Sequence, residues 1–196
     1  MNFLAHVHLS KDNEDVIFGN FIADAIKGKA YTKFRKDIIT GILLHRDIDT
    51  YTDRHIIVKS SRAKIREHFG KFSGIVVDIY YDHFLARNWE QYHNVELARY
   101  SAYVYLILAK RFLLLPARIK RLLPFLIGQN WLVGYANLND LQRVFNGMDR
   151  RTGYVSGMEN AVKILEENYD SLYVDFKEFY KELESYSMKR LLEISS

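Results

Sequence analysis

The chain has 196 residues, and its 28 lysines and arginines against 24 aspartates and glutamates give a formal net charge of +4. This length fits one domain with a substantial core and is marginal for two. Because the chain contains no cysteine, disulfides, zinc–thiolate sites and cysteine nucleophiles are excluded. The near balance of charge, without a recognition motif, argues against nucleic-acid binding.

Glycine and proline are scarce, at 10 and 2 residues, while 48% of the residues are hydrophobic. This composition favours long helices over a strand-and-turn architecture. No apolar run approaches the roughly 20 residues that span a bilayer, and the first residues lack the pattern of a signal peptide. We therefore expect residues 1–196 to form a single all-α domain, a helical bundle in the cytoplasm, whose oligomeric state the sequence leaves open.

Apolar spacing and helix-stop residues predict helices along most of the chain. The predicted segments are 13–28, 34–53, 56–69, 73–92, 95–114, 137–148 and 155–194, the last with one break near Asp170. Pro116 and Pro124 should each end or kink a helix, so residues 117–133 are expected to form two short segments.

Residues 110–127, KRFLLLPARIKRLLPFLI, mix basic residues with leucine and phenylalanine. Such a segment can bind a membrane surface or a partner protein. It can also be a core helix whose long cationic side chains reach solvent. We favour the core helix, because Pro116 and Pro124 shorten any continuous amphipathic face.

Polar side chains fall within apolar stretches at five places along the chain. These are NFLAHVHLS, GNFIADAI, LLHRDID, VVDIYY and YDHFL, which contain His6, His8, Asn20, Asp24, His45, Asp49, Asp78, Asp82 and His83. A buried carboxylate is costly unless it is paired or binds a cation. Several of them in one small domain suggest a shared positive ligand.

The spacing of these residues supports convergence on one cleft. Three pairs are four residues apart, namely Asn20 with Asp24, His45 with Asp49, and Asp78 with Asp82. Each pair needs only one helix face, and helix bundles build metal sites from such faces. With nitrogen and oxygen donors and no thiols, Mn²⁺, Mg²⁺ or Fe²⁺ is favoured over Zn²⁺. The alternative is that a carboxylate such as Asp78 only pairs with a buried lysine or arginine.

Several blocks taken together resemble one known family. They are MNFLAHVHLS, GNFIADAIKG, GILLHRDIDTYTD, DIYYDHFLARNW, QNWLVGYANL and VFNGMDRR. In this order they are similar to the acyl carrier protein phosphodiesterases, from residue 1 to about residue 151. The resemblance implies an all-helical, HD-domain-like phosphohydrolase that uses a divalent metal, commonly Mn²⁺. It also implies the reaction, which is hydrolysis of the phosphodiester that joins 4′-phosphopantetheine to a serine of acyl carrier protein.

The chain departs from the usual HD pattern of a lone histidine, an adjacent His-Asp pair and a distant aspartate. Arg46 follows His45, and the adjacent pair Asp82–His83 is in reverse order. The resemblance implies a metal-ligand set drawn from His6, Asp24, His45, Asp78 and Asp82. His8 could replace His6, Asp49 could replace Asp24, and either Asp78 or Asp82 would be the distant carboxylate.

The same mapping suggests further roles. We expect Arg46 to hold a nonbridging phosphate oxygen, since its planar guanidinium matches phosphate geometry. Asp49 or His83 would move the proton during hydrolysis. Because acyl carrier proteins are strongly acidic, a cationic docking face is expected. Its candidates flank the predicted site helices and are Lys27, Lys29, Arg35, Lys36, Arg54 and Arg62, with Arg150 and Arg151 further along.

Two other functions remain open at this point. One is an HD-type phosphohydrolase that acts on a nucleotide or another small phosphoester and ignores a protein substrate. The other is a non-catalytic helical module that binds acidic proteins, for which substitution of His45 or Asp24 should leave function intact. The histidines and aspartates on apolar faces argue against this second alternative.

Overall fold

The structure is a computed structural model that describes residues 1–195. Helices account for most of this range and no residue in it lies in a β-strand, which confirms the all-α prediction. The α-helices are α1 (Phe3–His8), α2 (Glu14–Ile22), α3 (Lys36–Arg54), α4 (Ile56–Lys64), α5 (Arg66–Phe69), α6 (Ser73–Arg87), α7 (Leu97–Lys110), α8 (Ala117–Gly128), α9 (Trp131–Gly134), α10 (Leu138–Arg151), α11 (Ala161–Glu167) and α12 (Tyr169–Ser195).

The predicted bounds are confirmed most closely for α3 and for the break between α11 and α12, which falls at Asn168. The segment predicted over 13–28 ends earlier, because α2 stops at Ile22. A single 3₁₀ turn, Ala23–Ala25, follows it and leaves Asp24 outside the regular helix. From this turn, Oδ1 of Asp24 reaches within 3.2 Å of Nε2 of His45 on α3.

Residues 117–134 contain two short helices, α8 and α9, as predicted for 117–133, but the break between them lies at Gln129 and Asn130. It does not lie at Pro124, through which α8 continues. Pro124 lies on the exposed side of α8. It has no backbone N–H group, so the carbonyl group of Lys120 lacks its usual helical partner. The expectation of a core helix holds for one side of α8, where Leu123 and Leu126 are buried. It does not hold for the other side, where Phe125 and Ile127 are exposed.

Helices α2 and α3 cross closely because each contributes a glycine to the crossing. A Cβ atom at Gly19 would overlap the carbonyl oxygen of Ile38, and one at Gly41 would overlap the carbonyl oxygen of Val16. Only glycine permits two helix backbones to approach this closely. The crossing therefore brings the polar side chains near these two glycines within hydrogen-bonding distance of each other.

A single core of buried apolar residues lies between these helices and α6, α7 and α12. Helix α12 packs along α3 and contributes fully buried aromatic side chains, among them Phe176, Phe179 and Tyr180. Within residues 1–195, no helix combines the length and the hydropathy that a membrane span requires.

Candidate metal centre

Three side chains that are distant in sequence converge at one place. They are His6 on α1 and His45 and Asp49 on one face of α3. Nε2 of His6 lies 3.1 Å from Oδ1 of Asp49, and Nε2 of His45 lies 3.1 Å from Oδ2 of the same carboxylate. One ligand atom from each residue lies within 4.8 Å of the others, so one cation could contact all three.

Asp24 lies on the solvent-facing side of this cluster. Its Oδ1 lies 3.2 Å from Nε2 of His45. The Asp24 side chain is 64% exposed whereas the His45 side chain is 8% exposed, so solvent reaches the cluster from the Asp24 side. Asp24 is thus placed to act as a fourth donor, through a carboxylate oxygen, at the mouth of the site.

Asn20 fixes the orientation of the His45 ring. Its Nδ2 donates hydrogen bonds to the carbonyl oxygen of His6 and to Oγ of Ser10, both at 2.8 Å. Because the amide nitrogen is oriented by these two acceptors, Oδ1 faces Nδ1 of His45 at 3.0 Å and accepts a hydrogen bond from its N–H group. Nε2 of His45 then faces the carboxylates, as a metal ligand must. The sequence pattern placed Asn20 on an apolar helix face but indicated no role for it.

The charges of the cluster are strongly coupled. Burial lowers the pKa of His45, but hydrogen bonds with Asp24 and Asp49 outweigh it and raise this pKa to about 9. Burial and the neighbouring charge of His45 lower the pKa of His6 to about 4. Burial raises the pKa of Asp49, but its hydrogen bonds with the two histidines outweigh it and lower this pKa. The cluster therefore holds two carboxylates and a proton on His45, with net negative charge.

This donor set fits a divalent cation. Two carboxylates and two neutral imidazoles around a dication sum to zero charge, and the dication would replace the proton on His45. Nδ1 of His6 is buried and has no hydrogen-bond partner among residues 1–195, so the polar contacts of this ring lie on the side of the cluster. Mixed nitrogen and oxygen donors suit Mn²⁺ and Fe²⁺ and tolerate Mg²⁺.

Asp78 and Asp82 belong to α6, and their carboxylates contact the start of α1 instead of this cluster. Asp82 is fully buried and accepts three backbone N–H groups at the start of the helix, the shortest at 2.7 Å from Leu4. Both of its oxygens are occupied by these contacts, and burial raises its pKa to about 7. Asp78 pairs with the ammonium group of Met1 at 3.1 Å. These two carboxylates anchor α1, which carries His6 one turn further along.

His83 and His8 also lie apart from the cluster. Nδ1 of His83 donates to the carbonyl oxygen of Tyr135 at 2.7 Å, and Nε2 faces the hydroxyl of Tyr169 at 3.3 Å. His8 is held by the carbonyl oxygen of Tyr92 and a tyrosine hydroxyl. The structure therefore brings His6 rather than His8 to His45, and it brings His83 to neither of them.

Arg46 holds the segment that follows Asp24. One terminal nitrogen of its guanidinium donates to the carbonyl oxygens of Ile26 and Gly28, both at 2.9 Å. The guanidinium carbon lies 5.0 Å from the ring centroid of Tyr31, a cation–π distance. Arg46 thereby connects α3 to the segment that directly follows the 3₁₀ turn containing Asp24.

Comparison with known proteins places the chain in a family. The family model described as acyl carrier protein phosphodiesterase matches residues 1–183. This range includes the three residues of the cluster and Asp24 at its mouth. The chain belongs to this family.

Relatives of similar length carry the same name. An acyl carrier protein phosphodiesterase of Salmonella dublin is 31% identical over 193 residues, covering 98% of this chain and 100% of the relative. One of Escherichia coli O45:K1 is 32% identical over 197 residues with the same coverage. No solved structure matches the chain. The resemblance to the acyl carrier protein phosphodiesterases that the sequence blocks predicted is confirmed.

Proposed function

We propose that this protein hydrolyses the phosphodiester between 4′-phosphopantetheine and a serine of acyl carrier protein. Water adds across the bond between phosphorus and the serine oxygen, so that the serine regains its hydroxyl group and 4′-phosphopantetheine leaves as a phosphate monoester. The observation that supports this function is the convergence of His6, His45 and Asp49 in a chain of the acyl carrier protein phosphodiesterase family.

The cluster His6, His45 and Asp49 would hold a divalent cation, with Asp24 as a fourth donor. When bound, this cation supplies positive charge that offsets the charge developing on the phosphodiester oxygens. Asp49 has one oxygen facing each histidine, and the oxygen that is not needed as a ligand orients the attacking water and accepts its proton. Asn20 keeps Nε2 of His45 directed at the site.

Mn²⁺ is proposed as the preferred cation, as the family resemblance implies, with Mg²⁺ and Fe²⁺ as alternatives that the donor set also accepts. A cytoplasmic location is proposed with it, since a chain without cysteine suits a reducing compartment.

Arg46 acts in this proposal by positioning. Its hydrogen bonds to the carbonyl groups of Ile26 and Gly28 fix the loop after Asp24. The loop in turn presents the exposed side chains of Lys27 and Lys29 beside the mouth of the site. These two cations form the proposed docking point for the acidic carrier protein, because they are adjacent in sequence to the solvent-facing donor Asp24.

The function is tested by incubating the purified protein with holo-acyl carrier protein and Mn²⁺ and following the mass of the carrier protein. Loss of the mass of 4′-phosphopantetheine is the expected result. His45→Gln and Asp49→Asn should lose Mn²⁺ binding and turnover together, because the first removes an imidazole donor and the second removes a negative charge from the cluster. Asp53→Asn serves as the matched control, since Asp53 is an exposed carboxylate on the same helix that pairs with Arg62.

Three results would contradict the proposal in different ways. Full turnover after chelation and dialysis would exclude the metal role. Hydrolysis of nucleotides with no effect on the carrier protein would exclude the substrate. Full turnover by His45→Gln would exclude the site. For docking, Lys27→Glu with Lys29→Glu should raise the KM for carrier protein and leave kcat unchanged, and an unchanged KM would place docking elsewhere.

A further inference from the structure

The turn between α7 and α8 presents large apolar side chains to solvent. Leu113 is 87% exposed, and its neighbours Phe112 and Leu114 in the same 3₁₀ turn are also exposed. On α8, the Phe125 side chain is 61% exposed and Ile127 is exposed as well. Single exposed leucines are ordinary on protein surfaces, but a run of three on one turn with two more on the next helix indicates an interaction site.

Lys120 joins the turn to α8. Its Nζ donates to the carbonyl oxygen of Leu113 at 3.1 Å and lies 5.5 Å from the ring centroid of Phe112. The turn is therefore held in its exposed position by α8, and a positive charge lies directly beside the apolar side chains.

The segment of sequence that contains this turn and α8 carries basic residues and no acidic ones. No aspartate or glutamate occurs between residues 97 and 139. The lysines and arginines in this range are Arg99, Lys110, Arg111, Arg118, Lys120 and Arg121. Lys110 and Arg111 face carboxylates of α2, whereas Arg118 and Arg121 make no ion pair with any residue among 1–195. The turn and α8 thus combine exposed apolar groups with uncompensated positive charge.

This region is separate from the candidate metal centre. Arg111, which precedes the turn, pairs with Glu14 and Asp15 at the first turn of α2. Asp24 lies beyond the opposite end of α2, about 15 Å further along at a rise of about 1.5 Å per residue. A molecule bound at the turn would therefore lie at the far end of α2 from the mouth of the metal site.

We propose that this region binds the surface of an anionic lipid bilayer. This α7–α8 surface consists of Phe112–Leu114, Arg118, Lys120, Arg121, Phe125 and Ile127. The apolar side chains of the turn enter the interface between headgroups and acyl chains, and the cations contact anionic headgroups. A bilayer needs no complementary groove, which suits three adjacent side chains that project from a turn. A second copy of the chain would bring like charges together.

The competing occupant is a helix of an acidic protein. Phe125 also borders a cleft of about 810 Å³ between α8 and α10, lined in part by Trp131 and Met148. Leu113, the most exposed apolar residue of the surface, does not line this cleft. Substitution of Leu113 therefore tests bilayer binding without altering the cleft.

The test uses the full chain and sedimentation with two kinds of vesicle, phosphatidylcholine alone and phosphatidylcholine with phosphatidylglycerol in equal proportion. Leu113→Ser removes the most exposed apolar group, and Arg118→Glu with Arg121→Glu reverses two unpaired charges. Ile56→Ser is the matched control, because Ile56 is 75% exposed but lies on α4. The wild type and Ile56→Ser should bind the anionic vesicles and not the neutral ones. The other two variants should bind anionic vesicles at least about tenfold more weakly.

Turnover of carrier protein without vesicles should be the same in all of these variants, so failure of lipid binding and failure of the proposed enzymatic function are distinguishable. Equal binding of the wild type to neutral and anionic vesicles, or no binding to either, would overturn the proposal. Unchanged vesicle binding by Leu113→Ser would overturn it as well. If Leu113→Ser instead raises the KM for carrier protein in the absence of vesicles, the surface docks an acidic protein and the lipid proposal is wrong.

Discussion

His6 and His45 stack face to face, with their ring centroids 3.9 Å apart and their planes 18° from parallel. Both rings direct Nε2 at the carboxylate of Asp49. Two stacked imidazoles cannot both be in the positively charged imidazolium form at low cost, because the like charges repel each other. This agrees with the opposite directions of their pKa shifts. A shared cation removes this conflict, because both rings can then be neutral.

Asn20→Ala should weaken Mn²⁺ binding by about 10-fold to 100-fold, because the ring of His45 loses the acceptor that orients it. The variant should also lose about 1–3 kcal/mol of the free energy of unfolding, since buried partners of the amide are left unpaired. Calorimetric titration with Mn²⁺ and urea unfolding measure the two effects. Asn168→Ala is the control, because Asn168 is a half-buried amide whose Nδ2 donates to the carbonyl oxygen of Ile164 on the preceding helix α11. Equal Mn²⁺ affinity in both variants would remove Asn20 from the site.

Gly41→Ala should destabilise the protein by about 3 kcal/mol or more, because the added methyl group would overlap the backbone of α2 at Val16. Since the α2–α3 crossing also brings Asn20 to His45, any folded fraction should bind Mn²⁺ less tightly. Gly147→Ala is the control. Gly147 lies within α10 with no atom within 4 Å of an added Cβ, so this variant should gain roughly 0.5–1 kcal/mol from helix propensity. Similar unfolding midpoints for the two variants would show that the α2–α3 crossing has room for a methyl group at residue 41.

Arg46→Lys should lower Mn²⁺ affinity by about tenfold, because a lysine cannot bond the carbonyl groups of Ile26 and Gly28 in the same plane while stacking on Tyr31. The segment that follows Asp24 would then be less well fixed, and with it the position of the Asp24 carboxylate. Titration with Mn²⁺ separates this role from direct phosphate binding. A large loss of kcat with unchanged Mn²⁺ affinity would instead support the original expectation that Arg46 contacts the phosphate.

Sequence spacing predicted the part of the site that lies on one helix. His45 and Asp49 are four residues apart on α3, and periodicity alone places them on one face. Asp24 was predicted by position but on a helix that in fact ends at Ile22. The helix bundle itself followed from composition, because scarce glycine and proline together with long apolar periods leave few alternatives.

The contacts of Asp82 and His83 could not be predicted from spacing. Both lie on α6, where a carboxylate beside an imidazole in an apolar stretch suggests a ligand pair. Their partners are backbone groups of α1 and of Tyr135, which are remote in sequence. A pattern within one helix shows which face a residue occupies, but only the packing of other elements shows what that face meets.

Asp82→Asn should lower the free energy of unfolding by about 1–3 kcal/mol, because at least one of the three N–H groups at the start of α1 loses its acceptor. Mn²⁺ affinity should fall only as far as the loosened start of α1 displaces the His6 side chain. Urea unfolding and Mn²⁺ titration test this, with Asp53→Asn as the exposed control. Loss of Mn²⁺ binding with unchanged stability would show that Asp82 is a metal ligand after all.

His83→Gln should change how stability depends on pH while leaving hydrolysis of carrier protein intact. Burial lowers the pKa of His83 below its ordinary value of 6.5, so the folded protein holds this ring neutral where the unfolded chain protonates it. The stability contributed by neutral His83 is complete above pH 6.5 and is lost as the pH falls from 6.5 toward the folded pKa, at a slope of up to about 1.4 kcal/mol per pH unit. The variant lacks this slope, so the wild type should lose more free energy of unfolding between about pH 7.5 and about pH 5.5. Urea unfolding at several pH values measures the difference. Parallel curves together with a large fall in kcat would contradict the structural role and support the original expectation that His83 moves a proton.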